Sequence, residues 1–192
     1  LISRVALPEE RDRVAQLPRV EVEREDLVDA EQIALGTFSP LRGFMDREML
    51  DSVLDTYRLP DGTVWPLPIV LRLPAARVAG LKAQSRVVLT GPGGDPHSLL
   101  EISEIFEIDP AAVAERWFGT ISQDHPGVRR LFEGGSALIA GDVTLITPTQ
   151  HDNPRYELSP SQLRLIFTHK GWSRVVGFHT RNVAHRAHEH IQ

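Results

Sequence analysis

Four of the eight histidines lie in the segment from His179 to His190, and Arg174 to His190 as a whole adds Arg174, Arg181 and Arg186 and a single acid, Glu189. A local cationic cluster on a chain of formal net charge −5 suits a small anionic ligand better than a long polyanion. The residue types narrow the chemistry. Arg181 offers a planar fork that matches sulfate, phosphate or carboxylate oxygens. Thr180 and Asn182 flank it with neutral groups that donate and accept hydrogen bonds. His185 and His188, three apart, share a face if they are helical and can there donate to phosphate oxygens.

Plainer accounts stand beside each part. A lone Arg181 is often a solvated or ion-paired surface residue, and Asn182 could serve only as a helix cap. His185 and His188, with Glu189 and His190, could instead form a metal site, although HxxH without cysteine or a downstream carboxylate is a weak zinc signal. The combination at one strand-to-helix loop favours an anion site. The elements that must position it are a buried strand, RVVGF (174–178), a loop, HTRNVA (179–184), and a helix opening, HRAHEHIQ (185–192). In open α/β sheets ligands bind beyond the carboxyl ends of strands, where helix N-termini present free N–H groups. One strand, loop and helix start make only the first unit of a parallel domain. The expectation is a chain cut mid-domain, and the missing initiator Met suggests that it starts inside a longer gene product.

Upstream, SPSQLRLIFTHKGW reads as a helix: Ser159 caps it, Pro160 takes the first position, Gln162 completes a capping box and Gly171 ends it. Leu163, Ile166 and Phe167 form its apolar stripe. TPTQHDNPRYE before it is a polar linker. LVDAEQIALGTF (27–38) reads as a short helix entering the turn at Gly36, with Leu41, Phe44 and Met45 as core candidates beyond it. DREMLDSVLDTYRL is helical by spacing, with Asp46 as N-cap, and DPAAVAERWFG starts with Asp109 and Pro110. TVWPLPIVLRL, RVVLTG, LLEISEIFEID and SALIAGDVTLI are β-rich runs, which predicts a mostly β barrel or sandwich. GPGGDPHS is a turn between strands, since no Lys-Ser/Thr follows its glycines as a phosphate-binding loop requires.

Composition excludes several classes. The 192 residues contain no cysteine, so disulfides, thiolate metal sites and a cysteine nucleophile are ruled out for this chain. No apolar run approaches the ~18 residues of a membrane span, and the N-terminus lacks a secretory apolar stretch, so the expectation is a soluble, cytoplasmic protein without membrane partners. The acidic total argues against nucleic-acid binding.

VVGFHTRNVAHRAHEHIQ resembles the active-site stretch of the ATP sulfurylase (sulfate adenylyltransferase) family, usually of the form FQTRNPxHRAHE. QIALGTFSPLRGFM, RLPDGTVWPLPIVL, DHPGV, GDVTLI and YELSPSQLRLIFTHKGW resemble that family's N-terminal half in the same order. The resemblance implies a PUA-like β-barrel domain over residues 1–152, then the truncated start, 153–192, of an α/β Rossmann-like nucleotidyltransferase domain. It implies adenosine 5′-phosphosulfate and pyrophosphate from ATP and sulfate. Arg181, with His179 in place of the motif's Gln, would hold sulfate; Thr180 and Asn182 would shape the catalytic site. His185 and His188, with Asn182, would bind the ATP phosphates, and Mg²⁺ would arrive with ATP rather than on a protein-held metal site. A homo-oligomer and a fused or associated adenylylsulfate kinase are further implications. Two departures, His179 for Gln and Val183 for Pro, set up an alternative: a degenerate sulfurylase-like domain serving as a scaffold.

Overall fold

The computed structural model describes residues 1–14, 16–150 and 154–191. The chain begins with α1 (Pro8–Val14), β1 (Arg19–Glu21) and α2 (Arg24–Leu35). β2 (Gly43–Phe44), α3 (Arg47–Thr56), β3 (Leu71–Leu73) and the short α4 (Ala75–Val78) follow. Then come β4 (Arg86–Thr90), the long β5 (Pro96–Glu107), α5 (Pro110–Phe118), α6 (Pro126–Glu133) and β6 (Ala137–Leu145). After a 3-10 turn at Pro154–Tyr156, α7 (Pro160–Lys170) and α8 (Arg186–Ile191) complete the described chain.

Local chemistry sets most helix ends. Asp46 accepts the Met49 N–H at 2.9 Å, and Asp109 accepts that of Ala111 at 2.9 Å, as an N-cap must. Ser159 and Gln162 form the expected capping box, and Gly171 closes α7 in the left-handed region at φ 66°. α2 ends the same way on Gly36, φ 89°. The helix α6 is an addition to the sequence reading. His125 caps it by accepting the N–H groups of Gly127 and Val128, and Pro126 takes its first turn.

One six-stranded sheet runs β1-β4-β5-β6-β2, with β3 also on β6. β1 pairs parallel to β4 and every other ladder is antiparallel. The ladders form a path rather than a ring, and helices cover the sheet, so the mostly β barrel becomes a mixed sheet with helices. The reason lies in the period of side chains along a strand. On β6, Ile139, Val143 and Leu145 face a core shared with Ala30, Ile33 and Ala34 of α2. Leu138 and Ala140 face the opposite core, shared with Leu50 and Leu54 of α3, Val113 of α5 and Val128 and Leu131 of α6. A strand apolar on both sides needs cover on both.

Residues 174–178 correct a second expectation. They form no strand; Val176 is 92% exposed, and Val175 and Phe178 are exposed too. A parallel strand is stable only with ladder partners beside it and helices over both faces. No described residue supplies them. The expected boundary between residues 152 and 153 lies outside the described residues.

Candidate functional site

The sequence-predicted residues occupy an exposed loop and helix start, held by short-range bonds. Thr180 Oγ1 accepts the Asn182 N–H at 3.1 Å and lies 3.2 Å from the Asn182 carbonyl, to which it donates. This turn sets Arg181 between its two anchor residues. Among the described residues Arg181 and His179 have no hydrogen-bond or ion-pair partner, so the guanidinium is available to a ligand.

The two histidines are brought together. Their ring centroids are 4.0 Å apart. The His185 N–H donates to His188 Nδ1 at 3.2 Å, and the Ala187 N–H donates to His185 Nδ1 at 3.3 Å. A ring whose Nδ1 accepts carries its hydrogen on Nε2 when neutral. Both imidazoles therefore present Nε2–H donors, the form a phosphate oxygen requires. Phe178 packs edge-on against His188 at 5.7 Å. No group of three His, Asp or Glu side chains suited to a metal ion occurs among the described residues.

Among the described residues, pockets of about 960, 600 and 330 Å³ indent the surface, and residues 179–191 line none of these three. The largest is a cleft between α2 and the start of α7, lined by Glu31, Gln32, Thr149, Tyr156, Ser159 and Gln162 among others. At its root sits a group that sequence reasoning did not single out. Glu31 is 3% exposed and accepts the Thr149 N–H at 2.9 Å, while the buried His97 ring lies 3.4 Å away. The available signal was a carboxylate on the apolar stripe Ala30, Ile33, Ala34. Burial pushes His97 below the usual imidazole range, with Glu31 opposing the shift.

A family model described as PUA-like domain matches residues 1–148, and one described as ATP-sulfurylase matches residues 154–192. Sulfate adenylyltransferases from Synechococcus sp. (strain JA-3-3Ab) and Trichodesmium erythraeum are 40% and 38% identical across the whole chain. One from Pyrococcus abyssi is 34% identical, again over the whole chain. The chain spans about half the length of these curated relatives, 50%, 51% and 51% respectively. Among solved structures, one titled hexameric APS kinase from Thiobacillus denitrificans matches all of this chain and 35% of its own, with TM-score 0.75 and 23% identity. That likeness speaks to fold alone. With a PUA-like domain model over its first 148 residues, the chain belongs to the PUA-like domain family, and from residue 154 it is similar to ATP-sulfurylase.

Proposed function

We propose that the chain supplies the N-terminal half of a cytoplasmic sulfate adenylyltransferase, which joins sulfate to the α-phosphorus of ATP and releases pyrophosphate. The carrying observation is identity of 34–40% with such enzymes over alignments that cover the whole chain. In this reading residues 153–192 open a Rossmann-like nucleotidyltransferase domain, in which 174–178 gain the neighbouring strands they need. The division from the PUA-like domain falls at 152/153.

Arg181 binds the sulfate oxygens through its fork, beside His179, and the Thr180–Asn182 turn fixes the backbone on either side of it. His185 and His188 donate from Nε2 to the triphosphate, with Asn182 adding a neutral contact. Catalysis is then positioning and charge stabilisation, without a covalent enzyme intermediate. Mg²⁺ would accompany ATP, keep mostly water ligands and neutralise phosphate charge. Homo-oligomers and an associated or fused adenylylsulfate kinase complete the proposal. The test measures pyrophosphate release by the full-length protein with and without sulfate. Release that requires sulfate supports the assignment; ATP binding with no such dependence removes it.

His179 and Val183 favour a second reading, in which the site is degenerate and the domain is a scaffold. Val183 restores an N–H and frees the backbone just before the histidines. His179 replaces a neutral amide by a titratable ring. Reverting both, His179→Gln with Val183→Pro, separates the two readings. A gain of sulfate-dependent turnover from an inactive parent supports degeneration, and full parental activity defeats it.

A further inference from the structure

We infer that Glu31 and His97 are positioning residues: together they clamp the strap Ile146–Thr149, which leads from the sheet toward the histidine loop. Four bonds converge on that strap. The His97 carbonyl accepts the N–H groups of Ile146 at 2.9 Å and Thr147 at 3.1 Å. Glu31 Oε2 accepts the Thr149 N–H at 2.9 Å. His97 Nε2 lies 3.1 Å from Thr149 Oγ1 and 3.4 Å from Glu31 Oε2. The other ring nitrogen, Nδ1, is 2.8 Å from the fully buried Ser98 hydroxyl.

The proton arrangement follows. An ionised carboxylate only accepts, so the nitrogen facing it carries the hydrogen: His97 is an Nε2–H ring whose Nδ1 accepts from Ser98. The carboxylate, imidazole and two hydroxyls thus satisfy one another in a nearly dry site, where a lost partner is costly. The residues come from α2, the start of β5 and the segment after β6. Nothing in the adenylyl transfer proposed above uses them. Their effect is to fix where the chain leaves the sheet and so where α7 begins, across the cleft from α2. The inference deepens the proposed function, since the segment so placed carries Arg181, His185 and His188.

The absence of cysteine allows a direct test with spin labels at Ala112→Cys on α5 and Ser161→Cys on α7, both exposed. The parent should give one narrow label-to-label distance peak without ATP or sulfate. Glu31→Ala and Thr149→Pro, which removes the clamped N–H, should at least double its width. Glu31→Gln keeps an accepting oxygen for Thr149 and should stay near the parent. In Glu31→Ala the Thr149 amide should exchange about tenfold faster, the loss of roughly one net hydrogen bond, while β6 stays protected. Parental width in both Glu31→Ala and Thr149→Pro, or broadening in Glu31→Gln equal to that in Glu31→Ala, overturns the clamp. If Glu31→Ala does not fold, Thr149→Pro decides, because it leaves the core intact. A His97 ring found by nitrogen-15 spectra to carry its proton on Nδ1 removes that residue from the assignment.

A second readout uses the full-length protein. Glu31→Ala should lower kcat for pyrophosphate release about tenfold with little change in KM for ATP, and Glu31→Gln should restore it. A residue needed only for stability would shift Tm and leave both the distances and this split unchanged. If the parent shows no sulfate-dependent release, the proposed function fails while the distance result still decides the clamp.

Discussion

Arg181 combines an exposed guanidinium with the absence of any described partner, so replacing it probes ligand chemistry without disturbing packing. Arg181→Ala should lower sulfate-dependent kcat/KM of the full-length protein by about 10²- to 10³-fold, the scale of losing one preorganised oxyanion donor. Lysine should not restore it, because one ammonium cannot reproduce the fork. An unaltered rate would remove Arg181 from the site. Asp26 gives a residue-scale effect on stability. Burial raises its carboxyl from 3.8 to about 6, although it accepts the Glu23 N–H at 3.1 Å. Its folded form therefore binds a proton more readily than the unfolded chain. The group costs nothing below its unfolded value and opposes folding increasingly as pH rises through about 6. Asp26→Asn keeps the accepting oxygen and should be more stable than the parent at pH 8 by about 1–2 kcal/mol, discounted for partial exposure. That gain should vanish near pH 4, and denaturant midpoints across the range check both ends.

Elements show how far neighbouring residues suffice. The caps at Asp46, Asp109 and Ser159 were legible because each bond closes within three residues. The β2–β6 ladder was not, because its condition is remote. Gly43 approaches the Gly141 backbone so closely that a Cβ would lie 1.7 Å from the Gly141 oxygen. Nothing within ten residues of Gly43 announces that contact. Gly43→Ala should force β2 off β6 and cost about 3 kcal/mol, the upper range for overpacking. A thermal or denaturant midpoint close to the parent's would show that the strands can separate cheaply. Arg72 is a similar case. It donates to the carbonyls of Leu131 and Arg130 at 2.9 and 3.0 Å and so caps the end of α6 from β3.

At the scale of the whole molecule, order is uneven. The core strands β4, β5 and β6 are paired on both edges and covered by helices, whereas 174–178 are exposed and unpaired. Native-state hydrogen exchange on this chain should find β5 and β6 amides among the slowest and those of Val175 to Phe178 near the rates of an unstructured peptide. Strong protection at 175–178 would show that the strand forms without further partners. The sequence by itself determined the caps at Asp46, Asp109 and Ser159, the β-rich runs and the resemblance to a family, all carried by composition, short spacing or motif order. Only the tertiary structure decided that the sheet is mixed and covered, that the RVVGF run stands unpaired and that Glu31 meets His97 and Thr149. Those outcomes depend on partners up to 118 residues away in the chain, and a residue's own neighbourhood holds no record of what will be folded against it.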